Sequence, residues 1–291
     1  MRVDLRLVAL VLAIGSARAD AQGAAEGPVL GAHALRPGAA LKVWVEDGRV
    51  RLVAWDRDSI IVRGHVGRGE GFFIGGDSNG MKFGTEKRPS RGVAGHSDIV
   101  AYIPRRSPVS VKTVSATIDA AGVSGWFYSV SGTIHLSGRA TSVEAESMNG
   151  SLDLDVTTPW LRARTGDGHL LLRGAAEDVD VSTISGTLDI AATTVRRGLF
   201  GSVSGDIHYA GSPLEGGIVE FSNHSGNVEL LLPRSVSGVF ALTSIVGSIE
   251  NGFARAQPIV ASPRSLRVSL GRGGSQVTVR TFRGAIRLRA Q

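Results

Sequence analysis

Eight positions, each three residues after a recurring turn residue, make the most chemically suggestive set in this chain: Asp119, His135, Asp153, Leu171, Asp189, His208, Glu229 and Glu250. If the units that carry them stack, these side chains form a line with about one strand spacing (~4.8 Å) between neighbours. Acid beside acid at that distance raises a carboxyl pKa, whereas an imidazole between acids is favoured in its charged form. Such a line would bind a divalent cation such as Ca²⁺ or a cationic glycan through Asp119, His135, Asp153, Asp189, His208, Glu229 and Glu250, with Leu171 as an interruption. The same pattern also describes an ordinary solvated strand face whose histidines relieve repulsion.

A second chemistry needs two carboxylates. Asp153 and Asp155 lie two apart, and Asp189 falls two units further on. Paired acids about 5–9.5 Å apart are what glycosidases use, so a carbohydrate-active enzyme on a β-helix, with Asp153, Asp155 and Asp189 as its acids, is the alternative to a non-enzymatic reading. No Arg or Lys cluster adjoins these acids in the sequence to mark a cleft. Other motifs are weaker. Gly75–Gly80, with Asp77 and Asn79, lacks the later ligands of a calcium loop, and Gly67–Gly71 lacks the Lys-Ser/Thr ending of a phosphate loop. No Gly-x-Ser-x-Gly, His-Glu-x-x-His or cysteine-based motif is present. Neither catalytic residues nor a cofactor or metal are therefore expected. Trp126, Phe127 and Tyr128 form an aromatic cluster suited to a core or cap, or to stacking on a sugar.

The elements that position these residues are repeats. The phrase Ser/Thr–apolar–Ser/Asn/Asp–Gly–x–Ile/Leu–x–apolar recurs, as in Ser129–Leu136, Ser147–Leu154, Thr183–Ile190 and Ser202–Tyr209. Its turn residues are Ala116, Gly132, Gly150, Gly168, Gly186, Gly205, Gly226 and Gly247, at successive spacings of 16, 18, 18, 18, 19, 21 and 21. Gly284 opens a further copy after a gap of 37, long enough for two units. Two residues after the turn the side chain is always apolar, from Ile118 to Ile286; four after, it is apolar except at Asn251. Three before, it is always Ser, Thr or Asn.

Apolar residues at +2 and +4 with polar ones between have the period of a strand with one buried face. Gly after Ser, Asn or Asp suits a reversal at positive φ. A period near twenty residues indicates one coil of a solenoid, in which like stacks on like. The sequence thus predicts an all-β protein, a parallel β-solenoid or β-helix-like repeat domain over 109–291. An irregular N-terminal β cap is expected over 22–108, with a flexible Gly-rich loop at 64–97. An antiparallel meander or sandwich built from Ser-Gly hairpins is the alternative architecture. In the cap, Leu41–Val45, Asp47-Gly48 and Val50–Trp55 read as a hairpin.

Residues 1–21 read as a secretory signal peptide: Arg2 and Arg6, an apolar run from Leu7 to Gly15, then small residues at Ala17, Ala19 and Ala21. No later segment is long and apolar enough for a transmembrane helix. The expected location is outside the cytoplasm: periplasm, cell surface or extracellular. Cysteine is absent, so stability must come from packing and backbone pairing. Residues 263–291 carry seven Arg and no acid. That tail suits either an anionic surface or the solvent side of terminal strands. Nucleic acid is not an expected partner.

The strand pair ending in Val50–Trp55, the segment Ile99–Pro104 and the serial Ser-Gly-x-Ile-x-Leu units from Thr113 to Leu288 resemble the bacterial adhesin-like domains of unknown function. The likeness spans most of the chain. Ala116 in place of the first Gly, Val246 before Gly247 and the expanded Gly-rich stretch depart from it. The resemblance implies an exported β-repeat protein of the cell envelope with no catalytic residues. The function expected is therefore non-enzymatic: an adhesin-like or scaffold protein binding an envelope glycan or another protein through a repetitive β surface. Self-association through strand edges, giving a self-assembling structural protein, is a further alternative.

Overall fold

The computed structural model describes residues 27–88, 95–253 and 257–291; the signal peptide expected at 1–21 lies outside them. The described residues form 23 strands, with no helix, joined in one continuous sheet. The fold is the predicted parallel solenoid. Each unit is one rung with two legs meeting at the Gly corner, and each leg pairs in parallel with the equivalent leg of the next rung. The antiparallel meander is thereby set aside: a corner turns the chain from one sheet face to the next and does not fold a strand back on itself.

Alternation decides which residues go inside. Ile118, Ile134, Leu152, Leu170, Leu188, Ile207, Val228 and Ile286 form one fully buried file, stacked register on register. Ala120, Leu136, Leu154, Leu172, Ile190, Tyr209, Leu230 and Leu288 form a second. The first leg supplies a third, through Val111, Phe127, Ala145, Ala163, Val181, Phe200, Phe221 and Val279. Each such Leu or Ile contributes roughly 1.5–3 kcal/mol on burial. Where the repeat lengthens to 19 and 21 residues, the interior is filled by aromatics: Phe200 stacks on Phe221 at 5.0 Å and Tyr209 meets Phe221 edge-on at 5.3 Å.

The corner glycines serve a different purpose from the one their neighbours suggested. None of Gly132, Gly150, Gly168, Gly186, Gly205, Gly226, Gly247 and Gly284 has positive φ. A Cβ on each would instead lie 1.8–2.2 Å from the carbonyl oxygen of the corner residue one rung away. Gly is required because successive corners touch backbone to backbone. Ala116 ends this column, since the rung beyond it has the different corner Glu46-Asp47-Gly48, where Glu46 O accepts from Ser115 N–H at 2.9 Å.

The buried hydroxyl three residues earlier completes the corner. Thr183 Oγ1 accepts from Gly186 N–H at 3.0 Å and donates to the Gly166 carbonyl at 3.0 Å. Ser129, Ser147, Thr165, Ser202 and Thr281 accept from their own corner N–H in the same way. Asn223 reproduces both bonds with its amide: Oδ1 accepts from Gly226 N–H at 3.0 Å and Nδ2 donates to Gly205 O at 2.8 Å.

Rung order in space departs from chain order at both ends. Ala40–Val45 and Gly48–Trp55 are not a hairpin. They are the two legs of a rung, pairing in parallel with Val109–Thr113 and Thr117–Ala121, so the sheet runs on unbroken across residue 108. On their other side stand Gly80–Lys87 and Ser97–Pro104. The Gly-rich stretch 64–97, expected to be a loop, thus contains an antiparallel hairpin, Glu70–Asp77 with Gly80–Lys87; its glycines permit close approach, a Cβ on Gly84 falling 1.9 Å from Trp44 O.

At the other end, Ser275–Thr281 and Ile286–Ala290 insert between Ile207–Asn223/Val228–Leu232 and Gly238–Ser244/Ile249–Asn251. Among the described residues, the gap of 37 therefore holds no extra parallel rung. It holds the antiparallel strands Gln257–Ser262 and Ser265–Leu270, which close the end against Gly238–Ser244. Asn251 breaks the apolar +4 column because its strand is the last on its face and is exposed.

Substituting Gly186 by Ala forces two rungs apart and is expected to cost about 3 kcal/mol or more, or to prevent folding. Thr183→Val, which leaves a buried N–H without its acceptor, is expected to cost about 1–3 kcal/mol, and Thr183→Ser much less. Chemical unfolding of the three variants checks this order; equal stability for Thr183→Val and wild type would refute the clamp.

Candidate functional site

The second leg of every rung presents the +3 residue outward, and the interleaved C-terminal rung sets the final order: Arg51, Asp119, His135, Asp153, Leu171, Asp189, His208, Glu229, Arg287, Glu250. Glu229 and Glu250 are not neighbours, as the sequence order implied, because Arg287 stands between them. The result is a ladder in which acids alternate with Arg or His, with Leu171 as its one apolar step. His135 Nδ1 lies 3.7 Å from Asp153, Arg49 Nε 3.4 Å from Asp119 and Arg287 Nε 3.4 Å from Glu250; Arg289 pairs with Glu229 and Arg173 with Asp153.

Asp189 is the acid held by two imidazoles. His169 Nε2 approaches it at 2.6 Å and His208 Nδ1 at 2.8 Å, from opposite sides. Partial burial pushes its carboxyl up, but the two imidazole hydrogen bonds and the imidazole charges outweigh this and hold it below its usual 3.8. A general acid needs the opposite displacement. Asp153 and Asp189, moreover, have the Leu171 rung between them. Among the described residues no three His, Cys, Asp or Glu are grouped closely enough to hold a metal ion, because basic side chains sit between the acids.

The ladder deepens into a depression of about 530 Å³ at its N-terminal end. Its floor is set by the short side chains Ala121 and Ser137, with Arg49, Arg51 and Val53 on one wall and Asp153, Asp155 and Arg173 on the other. The Arg cluster that the sequence did not reveal near Asp153 is thus supplied by distant rungs. Arg51 on the one wall and Asp155 on the other make no ion pair among the described residues. Round the corner, on the first leg, Trp126 and Tyr128 stack at 5.7 Å with Lys112 5.0 Å above the Trp126 ring. Phe127 alone of that trio enters the core.

A second concavity, about 980 Å³, runs along the side where each rung returns to the next. Its floor comprises Gly122, Ser124, Ala140, Thr141, Thr157 and Ala176, and most of its lining surface is carbon. Repeat length creates it. Units of 16 and 18 residues turn early, through Gly122 at φ +67° and Gly138 at φ +84°, whereas the 21-residue unit brings Leu214 into the lining. No sequence motif marks it, since it arises from differences in spacing.

Residues 41–289 match the Toastrack DUF4097 family of unknown function, and the chain belongs to that family. No curated protein is significantly similar to it. Among solved structures it is similar to a "putative cell adhesion protein" of Clostridium sporogenes (12% identity, 90% of this chain and 98% of that one, TM-score 0.27). It is also similar to a "putative adhesin" of Bacteroides fragilis (12% identity, 90% and 97%, TM-score 0.49) and a "putative lipid binding protein" of Parabacteroides distasonis (10% identity, 91% and 98%, TM-score 0.49).

Because the Asp189 carboxyl titrates lower folded than unfolded, its contribution to stability is complete above pH 3.8 and is lost as pH falls through the folded value. Asp189→Asn should therefore be less stable than wild type at neutral pH, with the difference shrinking towards pH about 3. Unfolding midpoints across that range check it; a difference independent of pH would refute the two-imidazole account.

Proposed function

We propose that this protein is a non-enzymatic, adhesin-like binding or scaffold protein, exported to the bacterial envelope, that engages an envelope glycan or polymer through the outward face of its rungs. The observation that carries the reading is the N-terminal depression. It is a concavity built into a repeated surface, and it presents Arg51 and Asp155, which make no direct ion pair among the described residues, beside acids that do. Hydroxyls, amides and charged groups of a glycan find partners on such a surface without any group being poised for chemistry. The ion pairing of Asp153 and Asp189 weighs against glycosidic cleavage by Asp153, Asp155 and Asp189. Among the described residues no helix is long and apolar enough to cross a membrane.

The 980 Å³ trough favours a second reading, in which the protein holds a ligand with a substantial hydrocarbon part. A mostly carbon-lined concavity of this size is unusual on a solvent-facing repeat and suits small-molecule binding.

The first reading is tested by an array of envelope glycans and polymers probed with residues 22–291. At least one ligand should bind, and Arg51→Ala with Asp155→Ala should weaken it about tenfold without lowering the unfolding midpoint. Absence of any bound glycan, or indifference to both substitutions, would sink it. Release of cleaved product by wild type but not by Asp153→Asn would establish the enzymatic alternative instead.

A further inference from the structure

The trough is electrically asymmetric. At the end formed by the connection after Pro104 stand Arg105 and Arg106, and Arg139 lines the trough two rung steps further in, beside Thr157. Arg105 is held by Asp56 at 3.0 Å, but Arg106 and Arg139, both exposed, have no carboxylate partner among the described residues. At the far end Glu177 lies 3.8 Å from Arg196. Between the ends runs a floor of Gly, Ala, Ser and Thr, too small to fill the trough, and Leu214 lines it from a later rung. Four rung steps separate the Arg105–Arg106 connection from Ala176, so at one strand spacing each the trough is roughly 20 Å long. That is the reach of one extended long-chain acyl group.

We infer that the trough binds a single-chain amphiphile with an anionic head. The head engages the guanidinium groups of Arg106 and Arg139, and the hydrocarbon lies along the floor past Leu214. This rests on the second reading above and adds to it the head-group chemistry, the direction of the chain and the two residues that set both. Charge complementarity selects the occupant. Two guanidinium groups without internal partners give strong, directional bonds to a carboxylate or phosphate, and each methylene removed from water adds about 0.8 kcal/mol. A neutral amphiphile forgoes the first contribution, and a short-chain acid forgoes most of the second. Small floor residues are required for the same reason: a larger side chain at the exposed Thr141 would occupy the channel that the chain must enter.

The test uses residues 22–291 and a dansyl-labelled long-chain fatty acid below its micellar concentration. Saturable binding with a blue-shifted emission is expected, displaced by oleate or by lysophosphatidylglycerol, the two arms distinguishing a carboxylate from a phosphate head. Oleyl alcohol and butyrate should compete at least about tenfold less well. The double variant Arg106→Glu/Arg139→Glu, which alters only exposed side chains, should bind the probe at least about tenfold more weakly with an unchanged unfolding midpoint. Thr141→Trp should block the trough and abolish binding. If oleyl alcohol competes as well as oleate, or the double variant binds as wild type does, the head-group assignment is wrong while the hydrocarbon reading stands. If no amphiphile binds wild type, or Thr141→Trp binds undiminished, both fail.

Discussion

The structure depends on one contact repeated from rung to rung: a corner glycine whose missing side chain lets it rest on the carbonyl of the corner below. With a Cβ position 1.8–2.2 Å from that oxygen, nothing but Gly fits, and the distance between rungs is fixed at its backbone minimum. The Ser, Thr or Asn three residues before bonds to the same junction, through both donor and acceptor at Thr165, Thr183, Asn223 and Thr281, so the crowded backbone groups are satisfied where water cannot reach. Register follows. Once corners are locked, every +2 and +4 side chain must lie on its counterpart, and the interior becomes files of Leu and Ile in place of a pool of interchangeable residues.

The same locking determines what the outside can be. Outward residues are held in columns as strictly as inward ones, and the chemistry of the surface is therefore set by which rung neighbours which. The interleaved terminal rung places Arg287 between two glutamates, and distant Arg49 and Arg51 face Asp119. The long face is consequently a ladder of acids alternating with Arg or His, its acids almost all partnered, a surface for recognition more than for reaction. The two concavities described above lie where regularity lapses. One forms where two rungs carry Ala121 and Ser137 in the +5 column, and the other where rungs of 16 and 18 residues meet rungs of 21.

How much of this was legible in the chain depended on whether the information was local. The Ile118-to-Ile286 file, the strand period and the stacking were readable because they repeat at one offset. The purpose of the corner glycine was not, since positive φ and close approach select the same residue and only coordinates separate them. The Asp47-Gly48 turn chemistry suggested a hairpin, but pairing with strands some seventy residues later prevailed, because a leg gains more from two parallel neighbours than from one antiparallel partner. The position of Gly284 misled for a related reason: sequence gives order along the chain, whereas an inserted rung has its neighbours chosen by where an edge stands open. That insertion also concealed the compensation of Glu229 and Glu250 and, through them, the true character of the +3 column.

The placement of Ser275–Ala290 has a further meaning for how the molecule is made. Strands on either side of it come earlier in the chain, so during synthesis the stack must wait with a vacant slot one rung wide. Its walls are bare backbone, and Ser275–Ala290 is the segment that fills it. Completion of the stack is thus coupled to arrival of that segment, and a chain lacking it would retain an open seam in the interior of its sheet, where foreign strands could anneal. The inserted rung acts as a keystone for strands laid down before it.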